Sequence, residues 1–104
     1  MEYKVIVSKN AEQDMEEFVR YLLFEKKSEQ AAVNLLDDFE ATVLRLSQIA
    51  GNLKYCENKR LKAQGYRRIN FQAHRYFVLY RVEGNKVFVD DVFHELQDYE
   101  NRMI

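Results

Sequence analysis

Hydrophobic and polar residues alternate at the start of the chain and again through its second half. Alternation with a period of two is typical of strands that bury one face. The first such segment, residues 3–8, places Tyr3, Val5 and Val7 on one face. Three further segments are predicted as strands, at residues 66–71, 76–82 and 86–93.

The last two predicted strands are joined by a short polar segment at residues 83–85. Gly84 and Asn85 both tolerate the positive φ that a tight turn requires, so a hairpin is predicted here. In the strand that follows, uninterrupted alternation puts on one face Val87, Val89 and Phe93. The opposite face then carries Phe88, Val92 and His94.

Between the first two predicted strands, apolar residues recur every three or four positions, which is typical of amphipathic helices. A first helix is predicted at about residues 11–25, where Asn10 and Gln13 have the spacing of a capping box. A second helix is predicted to begin after Ser28, a suitable N-cap, and to end at Gly51. Its predicted buried stripe consists of Ala32, Leu35, Leu36, Phe39, Val43 and Leu46.

The predicted order is β-α-α-β-β-β, an α+β domain in which a helical hairpin packs on one face of an antiparallel sheet. Residues 52–65 have no clear period and are predicted to form a loop. The tail is expected to add a helical turn through Leu96, Tyr99 and Met103. The chain carries no repeat, no proline and no linker-like segment, so residues 1–104 are predicted to form a single domain.

Charge is strongly segregated along the chain, although the net charge is only −1. Residues 54–81 contain eight basic residues and one acid, which gives this segment a net charge of +7. Such a block suits a polyanion or an acidic protein partner. The alternative is that it forms the solvated half of a nearly neutral protein.

Cysteine usage and hydropathy indicate the compartment. Cys56 is a single cysteine that cannot form an internal disulfide, and no apolar leader follows Met1. The longest apolar stretch, residues 76–80, is far shorter than the roughly 20 residues of a membrane helix. We therefore expect a cytoplasmic protein without a membrane partner.

The residue inventory excludes several kinds of site. No glycine-rich phosphate loop is present. The soft metal ligands are His74, His94 and Cys56, and they lack any recognisable ligand spacing, so we expect neither a metal nor another cofactor.

Metal-free RNA cleavage is one reaction that the remaining polar residues could perform. It needs a base for the 2′-hydroxyl, cations for the developing phosphorane charge and an acid for the leaving oxygen. The candidates in that order are His94, Arg68 or Arg81, and Tyr99. Alternatively, His94 only ends a strand, the arginines pair with acids, and Tyr99 packs the tail.

Several short motifs occur in an order and spacing that is fairly specific. They are residues 3–8 followed by 11–14, the segment 65–69, the segment 74–82, and residues 92–94 near the end. Together they resemble the RelE/ParE superfamily of toxins from type II toxin–antitoxin modules, over nearly the whole chain. The β-α-α-β-β-β order agrees with the fold of that superfamily.

The resemblance implies a growth-inhibiting protein that a cognate antitoxin neutralises by wrapping it with an extended or helical segment. The acids of that segment are expected to meet Lys54, Lys59, Arg60, Lys62 and Arg67. Two targets are known in the superfamily. RelE-like members cut messenger RNA on the ribosome, and ParE-like members inhibit DNA gyrase.

Two features favour the ParE-like alternative. RelE-like nucleases commonly have a phosphate-binding arginine where this sequence has Phe77. They also tend to be strongly basic, whereas the pI here is about 6.1. We therefore expect an inhibitor of gyrase that acts by binding, with the helical hairpin, His94, Leu96 and Tyr99 at the target.

Two other functions stay open at this point. The first is a ribosome-dependent endonuclease in which His94 transfers protons and Tyr99 orients or stacks the RNA. Its phosphate-stabilising residues would be Arg68, Arg75 and Arg81. The second is a diverged, non-toxic interaction domain.

Overall fold

Four strands and two long helices occur in the order that the sequence pattern predicts. The computed structural model describes residues 2–97. The strands are β1 Lys4–Val7, β2 Tyr66–Asn70, β3 Tyr76–Glu83 and β4 Lys86–His94. The helices are α1 Lys9–Arg20, α2 Glu29–Ile49 and a short α3 Lys59–Ala63. The tail turn predicted through Tyr99 and Met103 lies outside the described residues.

The strands form one sheet in the order β1-β4-β3-β2. The β2–β3 and β3–β4 pairs are antiparallel, as predicted, but β1 runs parallel to β4. The sheet is therefore mixed, and the expectation of a wholly antiparallel sheet is wrong for β1. The physical reason is that β1 is followed by the helical hairpin and not by a tight turn, which leaves the chain room to return in the parallel direction.

Strand β4 contains one bulge. Tyr80 is paired with Val89 and Leu79 with Asp91, so Asp90 is an extra residue in the ladder. A bulge places two residues opposite one and interrupts the alternation of side chains.

The bulge at Asp90 decides which β4 side chains face the helices. Val92 packs with Val87 and Val89 in the core between sheet and helices, whereas Phe93 lies in the cluster on the other face. The prediction that grouped Phe93 with Val87 and Val89 is therefore wrong.

The helices begin at serines. Ser8 is the N-cap of α1, because its Oγ accepts the backbone N–H of Ala11 at 3.0 Å. The predicted capping box at Asn10 is therefore wrong, and Asn10 lies within the helix. The predicted cap at Ser28 is confirmed. A π-helical turn at Tyr21–Glu25 follows α1 and leads into the connection between the helices.

The buried face of α2 is more polar than its apolar pattern indicated. It consists of Ala32, Leu35, Asp38, Thr42 and Leu46. Leu36, which was predicted to be buried, is 39% exposed. Thr42 is accommodated because its Oγ1 donates to the backbone carbonyl of Asp38 at 2.8 Å.

Both faces of the sheet are covered. The larger core lies between the sheet and the two long helices. A smaller cluster on the opposite face consists of Cys56, Leu61, Phe77, Leu79 and Phe93. Leu61 belongs to α3, which begins at the N-cap Asn58, so the predicted loop at residues 52–65 contains a short helix that covers this face.

Candidate functional site

The sheet face opposite α1 and α2 carries two of the arginines of the basic segment. Arg68 lies on this face, with its guanidinium carbon 3.7 Å from the centroid of the Phe77 ring. Its Nε donates to Asn70 Oδ1 at 3.0 Å. The aromatic ring below it is only 1% exposed, so Arg68 is held in a cation–π contact over the core.

Arg81 lies on the same face and interacts with two acids. Its Nε donates to Asp90 Oδ2 at 2.7 Å, and its Nη1 is 4.0 Å from Glu83 Oε1. The hydrogen bond to Asp90 raises the pKa of Arg81 above its usual value, which partial burial opposes. Its positive charge is thus offset by carboxylates within the protein.

Arg67 points to the helix side of the sheet. Its Nη1 donates to the backbone carbonyls of Leu53 and Gly51, and its guanidinium lies 4.0 Å from the centroid of the Tyr55 ring. The sequence predicts that Arg67 meets an antitoxin. In the structure its side chain ties the segment after α2 to β2.

His94 also lies on the helix side. It is paired with Tyr76 on β3, and the two rings meet edge to face with centroids 4.9 Å apart. The ring of Tyr76 in turn meets the ring of Phe18 on α1 edge to face, with centroids 4.7 Å apart. The Nδ1 of His94 accepts the backbone N–H of Leu96 at 3.1 Å, so in the neutral ring Nε2 carries the proton.

The candidate residues for RNA cleavage are therefore divided between the two faces of the sheet. Arg81 pairs with Phe88, six residues before His94 on β4. At about 3.3 Å per residue, Arg81 and His94 lie roughly 20 Å apart along the strand. Arg75 lies nearer to His94, because its carbonyl accepts the N–H of Glu95 at 2.9 Å. Tyr99 lies outside the described residues.

The remaining basic candidates are exposed. Three of them, Lys59, Arg60 and Lys62, lie on α3. Lys54 lines an open cleft of about 530 Å³ between the end of α2 and the edge strand β2, together with Arg68 and Arg45. Sequence reasoning missed Arg45 because it lies on α2, nine residues before the basic segment begins at Lys54, and it was not counted with that segment.

A carboxylate–histidine pair was also missed. Asp38 on α2, with 5% of its side chain exposed, accepts hydrogen bonds from the backbone N–H groups of Gln72 and Ala73 and contacts His74 Nδ1 at 2.7 Å. Burial opposes ionisation, but the hydrogen bonds outweigh it and lower the pKa of Asp38. The pair joins α2 to the loop between β2 and β3.

The helical hairpin has an apolar groove with an acidic rim. The groove has a volume of about 370 Å³, and its apolar lining is Met15, Val19, Leu36 and Phe39. Its rim carries Glu12, Glu16 and Glu40. Further apolar side chains lie exposed elsewhere on the surface, namely Tyr21, Phe24, Val33, Leu44, Tyr55 and Leu96.

Two kinds of site are not seen in the described part of the chain. Within residues 2–97, no three His, Cys, Asp or Glu side chains are grouped so as to hold a metal ion. None of the helices in that same range combines the length and the apolar character that a membrane crossing needs.

Comparison with known proteins identifies the family. Residues 5–99 match the model of the ParE toxin of the type II toxin–antitoxin system, parDE. The fold is similar to a solved structure described as the chromosomal ParDE TA system from P. aeruginosa, with a TM-score of 0.71 and 15% identity, over 88% of this chain and 95% of that chain. No curated protein matches the chain. Since the family model spans almost its whole length, the chain belongs to the ParE toxins of type II toxin–antitoxin systems.

Proposed function

We propose that this toxin inhibits DNA gyrase by binding to it and breaks no bond itself. The observation that carries the proposal is the separation of His94 from Arg68 and Arg81, which lie on the other face of the sheet and leave Arg75 as the candidate cation near His94. Cleavage of RNA requires the proton-transferring group and the phosphate-binding cations around one scissile phosphate. His94 and Arg81 lie on opposite faces and about a strand's length apart.

The position of Phe77 supports the same conclusion. This ring is buried beneath Arg68 and packs against Phe93, with ring centroids 5.7 Å apart. It contributes to the core of the sheet and supplies no cation. Arg81, the basic residue of β3, donates a hydrogen bond to the carboxylate of Asp90.

A binding mechanism needs an exposed surface with apolar anchors. Leu96 is 87% exposed at the end of β4, and Phe24 is 65% exposed at the end of the helical hairpin. We assign these two regions, the hairpin and the segment from His94 onwards, to contact with the target.

The antitoxin would then occupy a different surface. Its acidic residues would meet the exposed cations of α3, which are Lys59, Arg60 and Lys62, together with Lys54. Opposite charges at such an interface speed association and select the partner. Since Arg67 is turned towards backbone carbonyls, we expect it to contribute little to that contact.

Capture of purified gyrase by immobilised toxin tests the proposal. We expect wild-type toxin to retain gyrase and Leu96→Glu to retain at least tenfold less, because a charge replaces an exposed apolar anchor. Asn85→Glu adds the same charge at the hairpin turn and should retain as much gyrase as wild type. Equal capture by all three proteins would remove Leu96 from the interface, and no capture by any of them would contradict the proposed target.

A further inference from the structure

The cleft between α2 and β2 is lined by basic residues from three parts of the fold. Arg45 comes from α2, Lys54 from the segment after it, and Arg68 from the edge strand β2. Glu57 is the one acid among the lining residues. The basic residues therefore outnumber the acids three to one, in an open cleft of about 530 Å³.

We propose that this cleft binds one strand of DNA through its phosphates, with a base stacked on Tyr55. The inference rests on the proposed function, because the strand would be part of the DNA that gyrase holds. Two of the cations are arginines, and a planar guanidinium group can donate two parallel hydrogen bonds to the oxygens of one phosphate. Asn58 and Asn70 line the same cleft with amide groups that can contact sugar or base edges.

Tyr55 is placed to act as the stacking residue. It is 46% exposed and lines the cleft. The guanidinium of Arg67 lies over its ring at 4.0 Å, and its backbone forms a bridge with Arg67 of β2. The ring is thus held in position before a ligand arrives. Aromatic rings beside a positively charged groove are the usual means by which proteins hold a single strand without sequence preference.

The lining fits a nucleic acid better than a helical protein segment. A docked amphipathic helix needs an apolar floor, but the aliphatic side chains in the cleft are Leu53 and Ile69, and Ile69 is only 3% exposed. A groove of the apolar kind exists elsewhere on the molecule, between α1 and α2, and its rim is acidic.

Fluorescence anisotropy with a labelled 12-nucleotide single-stranded DNA tests the inference on the toxin of residues 1–104. The double variant Arg45→Gln/Lys54→Gln removes two cleft charges. The matched control Lys4→Gln/Lys86→Gln removes two exposed charges from the paired strands β1 and β4, outside the cleft.

We expect the cleft variant to bind at least tenfold more weakly at about 0.1 M salt. The slope of log K against log salt concentration should become less steep by about 1.4, because each of the two lost phosphate contacts contributes about 0.7. The control should stay within about twofold of wild type.

Substitution of the aromatic residue separates stacking from charge. Tyr55→Leu should weaken binding by roughly tenfold, whereas Tyr55→Phe, which keeps the ring, should bind like wild type. Absence of binding by wild type, or equal losses in the cleft and control variants, would overturn the inference. So would full displacement of the DNA by a poly-glutamate peptide of equal charge, or a tenfold preference for RNA of the same sequence.

The capture experiment keeps this inference distinct from the proposed function. Toxin that retains gyrase but binds no oligonucleotide would contradict the cleft and leave the target in place. Toxin that binds the oligonucleotide and retains no gyrase would contradict the target.

Discussion

At the scale of single residues, Asp38 connects α2 to the loop between β2 and β3. Its carboxylate receives two backbone N–H groups and His74 Nδ1, and its side chain is only 5% exposed. Buried carboxylates are costly unless they are paired in this way. The pair fixes the β2–β3 loop, which includes Arg75, against α2.

We predict that Asp38→Ala lowers the free energy of unfolding by about 3 kcal/mol, because it removes the shared acceptor of two backbone N–H groups and His74. The neighbouring Asp37 is exposed, and Asp37→Ala should stay within about 0.5 kcal/mol of wild type. Urea unfolding at pH 7 measures both. Equal effects of the two substitutions would contradict the structural role of Asp38.

The same residue predicts a pH dependence. The pKa of Asp38 is lower in the folded protein than its usual value, so its contribution to stability is present above the usual pKa and is lost as the pH falls through the folded value. The difference in unfolding free energy between wild type and Asp38→Asn should therefore be constant above about pH 5 and shrink as the pH falls from about 5 to below 3.8. A difference that is constant over this range would contradict the lowered pKa.

Sequence reasoning selected the basic residues of the segment 54–81 as candidates but could not place them on the sheet. Alternation shows that Arg67 and Arg68 point to opposite faces, but it cannot say which face the helices cover. That information came from the packing of Tyr80 and Val78 against α1 and α2. Asp38 could not be identified for a different reason. A carboxylate on a helix normally lies in water, and the residues that bind Asp38 are more than thirty positions away in sequence.

At the scale of elements, the bulge in β4 could not be predicted from the alternation of apolar and polar residues. Alternation was predicted without interruption, and one extra residue reverses every side chain beyond it. The bulge residue Asp90 also contributes contacts of its own. Its carboxylate binds Arg81, and its backbone carbonyl accepts the hydroxyl of Ser8 at 2.9 Å.

Deletions distinguish the bulge from the regular ladder. Asp90 and Asp91 are adjacent, so removing either gives the same sequence, in which an aspartate follows Val89 opposite Leu79. We predict a loss of about 2 kcal/mol from the missing ion pair and hydrogen bond, with the fold retained. Deletion of Val92 should abolish folding, because it moves Phe93 to the helix side. Circular dichroism with urea titration checks both deletions, and equal damage from the two would contradict the assigned bulge.

The other elements were predicted to different degrees. The strands, the hairpin at Gly84 and the N-cap at Ser28 follow from local sequence and are confirmed. The short helix α3 could not be predicted from periodicity, since five residues span little more than one turn. Its position depends on Leu61, which fills the cluster beneath Phe77 and Phe93.

At the scale of the whole molecule, charge is divided between surfaces. The apolar groove of the helical hairpin has an acidic rim, whereas exposed basic residues lie on and before α3, namely Lys54, Lys59, Arg60 and Lys62. A toxin that must be held by an antitoxin and also engage a target needs more than one binding surface. The small net charge of −1 therefore conceals two surfaces of opposite character.

The measurement that tests the central claim most directly compares two activities of the same purified toxin. One reaction follows supercoiling of relaxed plasmid by gyrase, and the other follows primer extension on a message translated in a purified ribosomal system. We predict that the toxin blocks supercoiling, that added antitoxin restores it, and that the message stays intact with wild type and with His94→Ala alike. Unchanged supercoiling together with cuts in ribosome-bound message that disappear with His94→Ala would contradict the account.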